Sequence, residues 1–374
     1  MSTSSELQPL GADVLPAGIS ARFVDTATGL RMHVLEAGDP TKPLMLLLHG
    51  FPELAYSWRK IMPELAAAGY HVIAPDQRGY GRTTGWDADY DGDLRSFEIL
   101  RLVRDILALV QALGRKHVDC LVGHDFGAIV APWCALTRPD LFRRLVIMSA
   151  PFSGPPAIGG SRFDVVGELA KLEPPRKHYQ WYYSERTADS DMRECRQGLQ
   201  KFLRAYYHVK SADWPGNLPH PLTSMSATEL GKLPTYYVMN AGADMAETVA
   251  PFMPSLEAVA ACKWLPDDEL AVYAEEFTRT SFQGGLNWYR CRTVPDHSSE
   301  LEVFAGRKID VPSAFIAGAA DWGTHQSPGA FDAMPGAFLR WHGATLIPGA
   351  GHWVQQEQPK ATVGAILDFV VTTA

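Results

Sequence analysis

The fold of this chain can be inferred outward from the stretch LVGHDFGAIV, residues 121–130. It places Asp125 between Gly123 and Gly127, after an apolar run and before a helical pattern. A glycine on each side lets the backbone bend where a side chain would clash, so the spacing predicts a very tight strand-to-helix turn. Such a turn projects Asp125 into the crevice at the carboxyl end of a sheet. The alternative interpretation is an N-cap aspartate, which is common.

Short apolar runs alternate with longer helical patterns on both sides of this turn. Each run is bounded by Gly, Pro or Asp, which is typical of buried strands. The runs are LMLLL (44–48), HVIAPD (71–76), HVDCLVG (117–123), RLVIMSA (144–150), VPSAFIAG (311–318) and ATLIPGAG (344–351). The clearest helical pattern covers residues 93–113 and stops at Gly114. Buried strands joined by helices predict an α/β fold whose mostly parallel sheet is flanked by helices.

Residues 151–307 differ from the rest of the chain. Strand signals are missing there, and the segment is rich in Trp and Tyr, as in HYQWYY (178–183) and NWYR (287–290). Helical patterns and proline-rich joints dominate. The sequence therefore predicts a first part of an α/β core in residues 1–150, a helical insert in residues 151–307 and a second part of the core in residues 308–374.

The composition makes several classes of protein poor candidates. The chain has 374 residues, 46% of them hydrophobic, and a net charge of −8 without a basic run. Nucleic acid and anionic membranes are therefore poor candidate partners. No apolar run is long enough for a membrane span, and the first residues lack the pattern of a secretory signal. Five scattered cysteines, never at C-x-x-C spacing, favour reduced thiols, so we expect a cytoplasmic protein.

The sequence contains no convincing cofactor or metal motif. It has no H-E-x-x-H motif and no Cys/His cluster, so we expect no metal site. The stretch RGYGRTTG (78–85) begins like a dinucleotide loop, but its third glycine comes one residue late. We therefore expect no cofactor. No interface signal distinguishes a monomer from a homodimer.

Two side chains late in the chain fit a catalytic role with Asp125. His352 directly follows the predicted strand ATLIPGAG, and Asp321 follows the predicted strand before it. A nucleophile needs a base, and the imidazole of that base needs a third group to orient it. The order Asp125, Asp321, His352 matches nucleophile, acid and histidine. Taken alone, His352 could be a structural histidine and Asp321 a loop cap.

Backbone N–H groups that could stabilise an oxyanion are predicted beside this turn. The motif LLLHGFPE places Phe51 and Pro52 directly after a buried strand. The N–H of Phe51 and that of Phe126 would then form an oxyanion hole. We expect His49 to shape the loop rather than to take part in catalysis, and Pro52 is a candidate cis proline.

Five motifs together resemble the α/β-hydrolase superfamily, in the branch shared by epoxide hydrolases and dehalogenases. They are HGFPE (49–53), PDQRGYG (75–81), GHDFGA (123–128), GAADWG (318–323) and GAGHW (349–353). The resemblance extends from about residue 20 to the end of the chain. It implies an α/β-hydrolase core, with the aromatic insert as a helical cap over the crevice.

An aspartate in place of the usual serine favours alkyl over acyl chemistry. Serine attacking a saturated carbon would form an ether, which water does not readily cleave. Aspartate forms an alkyl ester instead, and water activated by His352 can attack the carbonyl carbon of Asp125. Epoxides and alkyl halides are the two substrates left. An epoxide oxygen leaves as an alkoxide and needs a proton donor, a role that suits tyrosine, whose ordinary pKa is about 10.

Two tyrosines of the insert resemble the ring-opening acids of epoxide hydrolases. GGLNWYR (284–290) resembles the motif that carries one of them, here Tyr289. HYQWYY resembles the segment that carries the other, and Tyr179 matches by the glutamine that follows it. Tyr182 and Tyr183 are the alternatives for the second acid, and packing is the alternative role for each tyrosine.

Phe126 weighs against a dehalogenase. Haloalkane dehalogenases have tryptophan after the nucleophile and fluoroacetate dehalogenases have arginine, whereas epoxide hydrolases need only a backbone N–H there. The resemblance therefore implies an epoxide hydrolase that converts a small-molecule epoxide and water into a vicinal diol. A haloalkane or haloacid dehalogenase is the alternative, followed by a ligand-binding receptor without activity. The expected pocket residues, which could also pack the cap on the core, are Phe51, Pro52, Phe126, Trp181, Trp288 and Trp353.

Overall fold

A computed structural model of the chain describes residues 7–160 and 163–373, which form ten strands. The strands are β1 (Ile19–Asp25), β2 (Arg31–Ala37), β3 (Leu44–Leu48), β4 (His71–Pro75), β5 (Cys120–His124), β6 (Leu145–Met148), β7 (Arg176–His178), β8 (Val238–Asn240), β9 (Ser313–Gly318) and β10 (Trp341–Ile347). Eight of them form one sheet in the order β1-β2-β4-β3-β5-β6-β9-β10. β2 pairs antiparallel with both β1 and β4, and all other neighbours are parallel.

Helices connect the strands and cover the sheet. They are α1 (Met62–Ala67), α2 (Ile99–Ala112), α3 (Gly127–Thr137), α4 (Val165–Leu169), α5 (Tyr179–Tyr182), α6 (Ala188–Arg193), α7 (Leu199–Lys210), α8 (Ala227–Leu230), α9 (Met245–Val249), α10 (Leu256–Ala261), α11 (Asp267–Thr280), α12 (Gln283–Thr293), α13 (Ala330–Ala333), α14 (Val354–Glu357) and α15 (Pro359–Thr372). Short 3₁₀ helices lie at Ala55–Trp58, Leu94–Phe97, Ala250–Phe252, Pro295–His297, Ser299–Phe304, Trp322–Thr324 and Met334–Ala337. Within the described residues, no helix combines the length and apolar character that a membrane span needs.

The six strands predicted from sequence are present, but β10, at the edge of the sheet, is mostly exposed instead of buried. They correspond to β3, β4, β5, β6, β9 and β10, and β3 has the predicted bounds. The helix predicted at residues 93–113 is α2, preceded by the 3₁₀ turn Leu94–Phe97 that Asp93 caps. β1 and β2 were not predicted. Only Ile19 and Val24 of β1 are buried, so its sequence lacks the apolar run by which the other strands were found.

The segment between β6 and β9 is mainly helical and contains α4 to α12. It also contains two strands that the sequence did not signal, β7 and β8, which pair antiparallel. Each of these strands has three residues, which is too short for a periodic sequence signal. The division of the chain at residues 150 and 307 stays a prediction.

The central strands are buried on both faces of the sheet. Along β3, Leu44, Leu46 and Leu48 belong to one hydrophobic cluster, whereas Met45 and Leu47 belong to a second. The first cluster includes α2, α3 and residues of the helical segment, and the second includes α1 and α15. Side chains of a strand alternate between faces, so the all-apolar run LMLLL follows from burial on both sides.

The turn from β5 into α3 depends on close backbone packing at Gly127. A Cβ atom on Gly127 would lie 2.0 Å from the carbonyl oxygen of Leu48 on the neighbouring strand β3. Real Cβ atoms do not approach another atom so closely, and a backbone carbonyl cannot rotate away as the end of a side chain can. The start of α3 therefore sits against β3 only because residue 127 is glycine.

Gly127→Ala is expected to lower the free energy of unfolding by about 1–3 kcal/mol, the usual cost of overpacking. Gly364→Ala is the matched control, because a Cβ atom at this position in α15 meets no described heavy atom within 4 Å. The control should gain up to about 1 kcal/mol from the higher helix propensity of alanine. Both are measured by urea denaturation, and equal midpoints for the two variants would contradict the close packing at Gly127.

Candidate active site

Asp125 occupies a strained turn at the carboxyl end of β5. Its φ is 52°, in the left-handed region that non-glycine residues rarely adopt. A Cβ atom on Gly50 would lie 2.3 Å from the side chain of Asp125, and one on Gly123 would lie 2.1 Å from the carbonyl oxygen of Gly127. The predicted tight turn is therefore confirmed. The N-cap interpretation is wrong, because Phe126 occupies the N-cap of α3 and no side chain caps that helix.

The two carboxylate oxygens of Asp125 have different neighbours. The N–H of Phe51 donates a hydrogen bond to Oδ1 over 2.9 Å. Oδ2 lies 3.5 Å from Nε2 of His352, which is ion-pair distance without an aligned hydrogen bond. Burial raises the pKa of Asp125, but nearby His352, with the charges of Lys210 and His124, outweighs it. The net pKa lies well below the ordinary value, so Asp125 is an anion.

His352 is oriented through its other ring nitrogen. Nδ1 lies 3.1 Å from Oδ1 of Asp321 and 2.9 Å from Oγ of Ser149. Nε2 is buried and has no hydrogen-bond partner among the described residues. With Nδ1 held by these two oxygens, Nε2 faces Asp125 with its lone pair free to accept a proton. The structure thus brings together the three side chains that the sequence placed after separate strands.

Asp321 serves both His352 and its own loop. Its Oδ1 also accepts a hydrogen bond from the N–H of Gly323 over 2.7 Å, at the start of a 3₁₀ turn. Asp321 therefore caps its own loop and also contacts His352. Burial raises the pKa of Asp321, but His352, Ser149 and the N–H of Gly323 outweigh burial, and the net pKa lies below the ordinary value. Asp321 is accordingly ionised beside the imidazole.

A second buried pair supports the loop of His352. Nε2 of His124 donates to the carbonyl oxygen of His352 over 2.7 Å, and its Nδ1 lies 2.6 Å from Oε2 of Glu53. Oε1 of Glu53 also accepts from the side-chain amide of Gln355 over 2.9 Å. Burial lowers the pKa of His124, but Glu53, with the charges of Asp125 and Asp321, outweighs it, so the net pKa lies above the ordinary value. The ionised Glu53 therefore stabilises the cationic form of His124 behind the turn.

Asp125 opens onto a cavity of about 230 Å³. Tyr179 and Tyr289 from the helical segment line the same cavity. The hydroxyl of Tyr179 donates to Oε1 of Gln326 over 3.0 Å and accepts from the side chain of Gln180 over 3.1 Å. The ring of Tyr289 packs edge-on against Phe126 with the centroids 4.6 Å apart. The two tyrosines matched by resemblance therefore face the predicted nucleophile across one space.

Both tyrosines hold their protons tightly. Burial raises the pKa of Tyr179 and of Tyr289 above the ordinary value, and the negative charge of Asp125 raises it further. The alternatives for the second acid make other contacts: the hydroxyl of Tyr183 donates to that of Tyr206, and Tyr182 donates to the half-buried Asp191. Neither is among the described residues that line the cavity.

Five of the six expected pocket residues differ from the prediction. Phe51, Pro52, Trp181, Trp288 and Trp353 are not among the described residues that line the cavity. Each is engaged in packing instead, and the ring of Phe51 packs edge-on against two tyrosine rings. Trp288 and Trp353 donate to carbonyl oxygens over 3.0 and 2.9 Å, the carbonyl of Pro52 accepts from a tyrosine, and Trp181 packs on a histidine ring. The Phe51–Pro52 peptide bond is cis, as predicted.

The remaining wall of the cavity was not predicted from the sequence. It includes Ile129, Trp133, Phe152, Arg292 and Gln326. A signal existed for two of these residues. Ile129 lies in the first turn of α3, beside the tight turn at Asp125. Arg292 follows Tyr289 by three positions on α12 and therefore lies on the same helix face. Among the described residues, no group of three or more His, Cys, Asp or Glu side chains could hold a metal ion.

The tight turn at Asp125, the sheet order and the three side chains that meet after β5, β9 and β10 are those of an α/β hydrolase. The family model for the α/β hydrolase fold matches residues 43–219. An epoxide hydrolase from an endophytic Streptomyces has a similar structure, with a TM-score of 0.76 and 32% identity over 95% of this chain and 96% of that one. Epoxide hydrolase I of potato (Solanum tuberosum) has a TM-score of 0.73 and 29% identity over 95% and 99%.

Proteins of similar sequence identify the family within the α/β-hydrolase fold. The chain is 34% identical to epoxide hydrolase A of Mycobacterium tuberculosis, over 93% of this chain and 96% of that protein. It is 31% identical to epoxide hydrolase 3 of Siraitia grosvenorii, over 91% and 95%. The chain belongs to the epoxide hydrolase family.

Trp288→Phe is expected to lower the free energy of unfolding by about 1–3 kcal/mol, because it leaves the buried carbonyl of Arg78 without its donor. Trp264→Phe is the matched control, since its indole donates to the exposed Asp213 and its loss should cost under about 0.5 kcal/mol. Urea denaturation measures both. A Trp288→Phe variant as stable as the control would argue against a packing role for this residue.

Proposed function

We propose that the protein hydrolyses small-molecule epoxides to vicinal diols through an ester on Asp125. The observation that carries the proposal is the shared cavity of Asp125, Tyr179 and Tyr289, with His352 directly behind the carboxylate. A dehalogenase is not favoured, because Phe126 offers a halide no side-chain donor and the similar proteins named above are epoxide hydrolases. A receptor without activity is not favoured either, since the nucleophile, base and acids are all present.

In the first step, the ionised Asp125 attacks one epoxide carbon. Oδ2 is the attacking oxygen, because Oδ1 is held by the N–H of Phe51. The C–O bond of the ring breaks as the new ester bond forms, and Tyr179 and Tyr289 stabilise and protonate the departing oxygen. Their raised pKa values keep both hydroxyls protonated in the free enzyme, so the proton is available when the alkoxide develops.

In the second step, water cleaves the ester. Nε2 of His352 takes a proton from a water molecule, and the resulting hydroxide attacks the carbonyl carbon of Asp125. The negative charge that develops on Oδ1 is stabilised by the N–H groups of Phe51 and Phe126. Collapse of this intermediate breaks its bond to the alkyl oxygen, which takes the hydroxyl proton from Asp125, so that the diol leaves and the carboxylate is restored. Asp321 stabilises the imidazolium that forms on His352, and this imidazolium returns its proton through solvent to the tyrosinate left by the first step.

The proposal also covers the division of the chain into cap and core, the lack of a cofactor and the cellular location. Residues 151–307 form the cap over a core made of residues 1–150 and 308–374. The amino-acid side chains carry out the reaction without a cofactor. The protein works in the cytoplasm, for which the five free cysteines are the supporting observation, since thiols persist in a reducing compartment.

Turnover of styrene oxide tests the assigned roles. Asp125→Asn is expected to be almost inactive, because a neutral amide is a poor nucleophile, and Tyr289→Phe and Tyr179→Phe should each lose about 10²–10⁴-fold in rate. Tyr182→Phe is the control, since its hydroxyl bonds to Asp191 away from the cavity, and it should keep near wild-type activity. Full diol production by Asp125→Asn would contradict the mechanism.

Ester formation is expected to depend little on pH near neutrality. The lowered pKa of Asp125 keeps it ionised below neutral pH, and the raised pKa values of both tyrosines keep them protonated above it. The rate of ester formation should therefore be level between about pH 5.5 and pH 9.5. Single-turnover kinetics separate the steps, and an ester-formation rate that falls within this range would contradict the assignment.

A further inference from the structure

Both neighbours of His352 in the chain are tied to one carboxylate. The N–H of Gly351 donates to Oε2 of Glu357 over 2.9 Å, and the N–H of Trp353 donates to Oε1 over 2.9 Å. Glu357 is the last residue of α14 and is only partly exposed. A carboxylate that accepts hydrogen bonds on either side of a residue restricts the backbone of that residue, so Glu357 restricts the loop that carries His352.

The same carboxylate also reaches the end of α7 in the helical segment. Oε2 of Glu357 accepts a third hydrogen bond, from the N–H of Ala212 over 2.8 Å. Beside it, the N–H of His352 donates to the carbonyl oxygen of Lys210 over 2.9 Å. A Cβ atom on Gly351 would lie 2.5 Å from that carbonyl oxygen, so only glycine permits this approach. The loop of His352 and the end of α7 are therefore held together through Glu357.

We propose that Glu357 is a positioning residue for His352, which it holds at the distance from Asp125 that ester hydrolysis needs. The inference rests on the proposed role of His352 as the base of the second step. Glu357 touches neither substrate nor the reacting atoms; it acts through the backbone on both sides of the histidine and through the end of α7. A displacement of about 1 Å at a catalytic group can cost 10²-fold in rate.

The number of acceptors explains why a carboxylate is needed. Three N–H groups converge on the two oxygens of Glu357, two on Oε2 and one on Oε1. Glutamine has the same shape but only one oxygen, and its amide nitrogen is a donor. With its oxygen towards Gly351 and Ala212, its NH₂ group faces the N–H of Trp353, and the two donors repel. Glu357→Gln therefore disturbs the backbone next to His352 without creating a cavity.

The expected effect is confined to the second step. Ester formation uses Asp125, Tyr179 and Tyr289, and Glu357 makes no described hydrogen bond with any of them. Ester hydrolysis uses His352. Glu357→Gln should therefore leave the rate of ester formation within about twofold of wild type and slow ester hydrolysis by about 10- to 100-fold. The covalent ester on Asp125 should accumulate in the variant.

The experiment compares single turnovers of styrene oxide by full-length wild type, Glu357→Gln and Glu229→Gln, with intact-protein mass spectrometry to follow the ester. Burial raises the pKa of Glu357 to about 8 against the opposing effect of its N–H donors, so the measurements are made at about pH 9, where the wild-type carboxyl is ionised. Glu229 is the matched control, because it accepts a backbone N–H from Thr223 in the helical segment. It should behave as wild type in both steps.

Each outcome bears on a separate claim. Unchanged ester hydrolysis in Glu357→Gln, or an equal loss in both steps, would overturn the positioning role. Absence of any ester in wild type would instead overturn the proposed function itself. If Glu357→Gln does not fold, Glu357→Asp decides: its shorter carboxylate should slow ester hydrolysis but not ester formation, and wild-type hydrolysis by this variant would also overturn the proposal.

Discussion

The site depends on one close approach of backbones at the carboxyl edge of the sheet. Asp125 adopts a left-handed conformation that costs about 1–3 kcal/mol, and glycines at positions 50, 123 and 127 leave the space for it. In this conformation the carboxylate points away from the strand and accepts a hydrogen bond from the N–H of Phe51. The surrounding sheet is buried on both faces, so its packing can hold the unfavourable turn in place.

The second constraint is electrostatic, because the turn concentrates buried charge. Asp125, Asp321 and Glu53 are all buried, and an uncompensated buried ion costs several kcal/mol. His124 and the buried Lys210 lie close enough for their charges to lower the pKa of Asp125. Burial in turn lowers the pKa of Lys210, while the three carboxylates oppose this. The nucleophile stays ionised because His352, Lys210 and His124 outweigh the effect of its burial, rather than because water reaches it.

The sequence predicted those parts of the fold and site that rest on local patterns. The central strands are continuous apolar runs. Asp125 and Asp321 each follow one, and His352 follows the edge strand β10, so their meeting at the carboxyl end of the sheet follows from topology. Contacts set by side-chain direction were not predictable. Trp288 lies next to Tyr289, yet its indole turns to a carbonyl in the core instead of the cavity. Ser149 follows β6 directly, but nothing local shows that its hydroxyl reaches the imidazole.

The contact between Tyr179 and Gln326 has a consequence for substrate choice. The tyrosine hydroxyl already has an acceptor, the amide oxygen of Gln326 at 3.0 Å. Under the proposed mechanism it must exchange that partner for an atom of the incoming molecule. An oxirane oxygen accepts a hydrogen bond well and can draw the hydroxyl from Gln326, whereas an alkyl chloride is a poor acceptor and leaves the hydroxyl on Gln326. Gln326 therefore competes with the substrate for the hydroxyl of Tyr179, and this competition disfavours molecules without a basic oxygen.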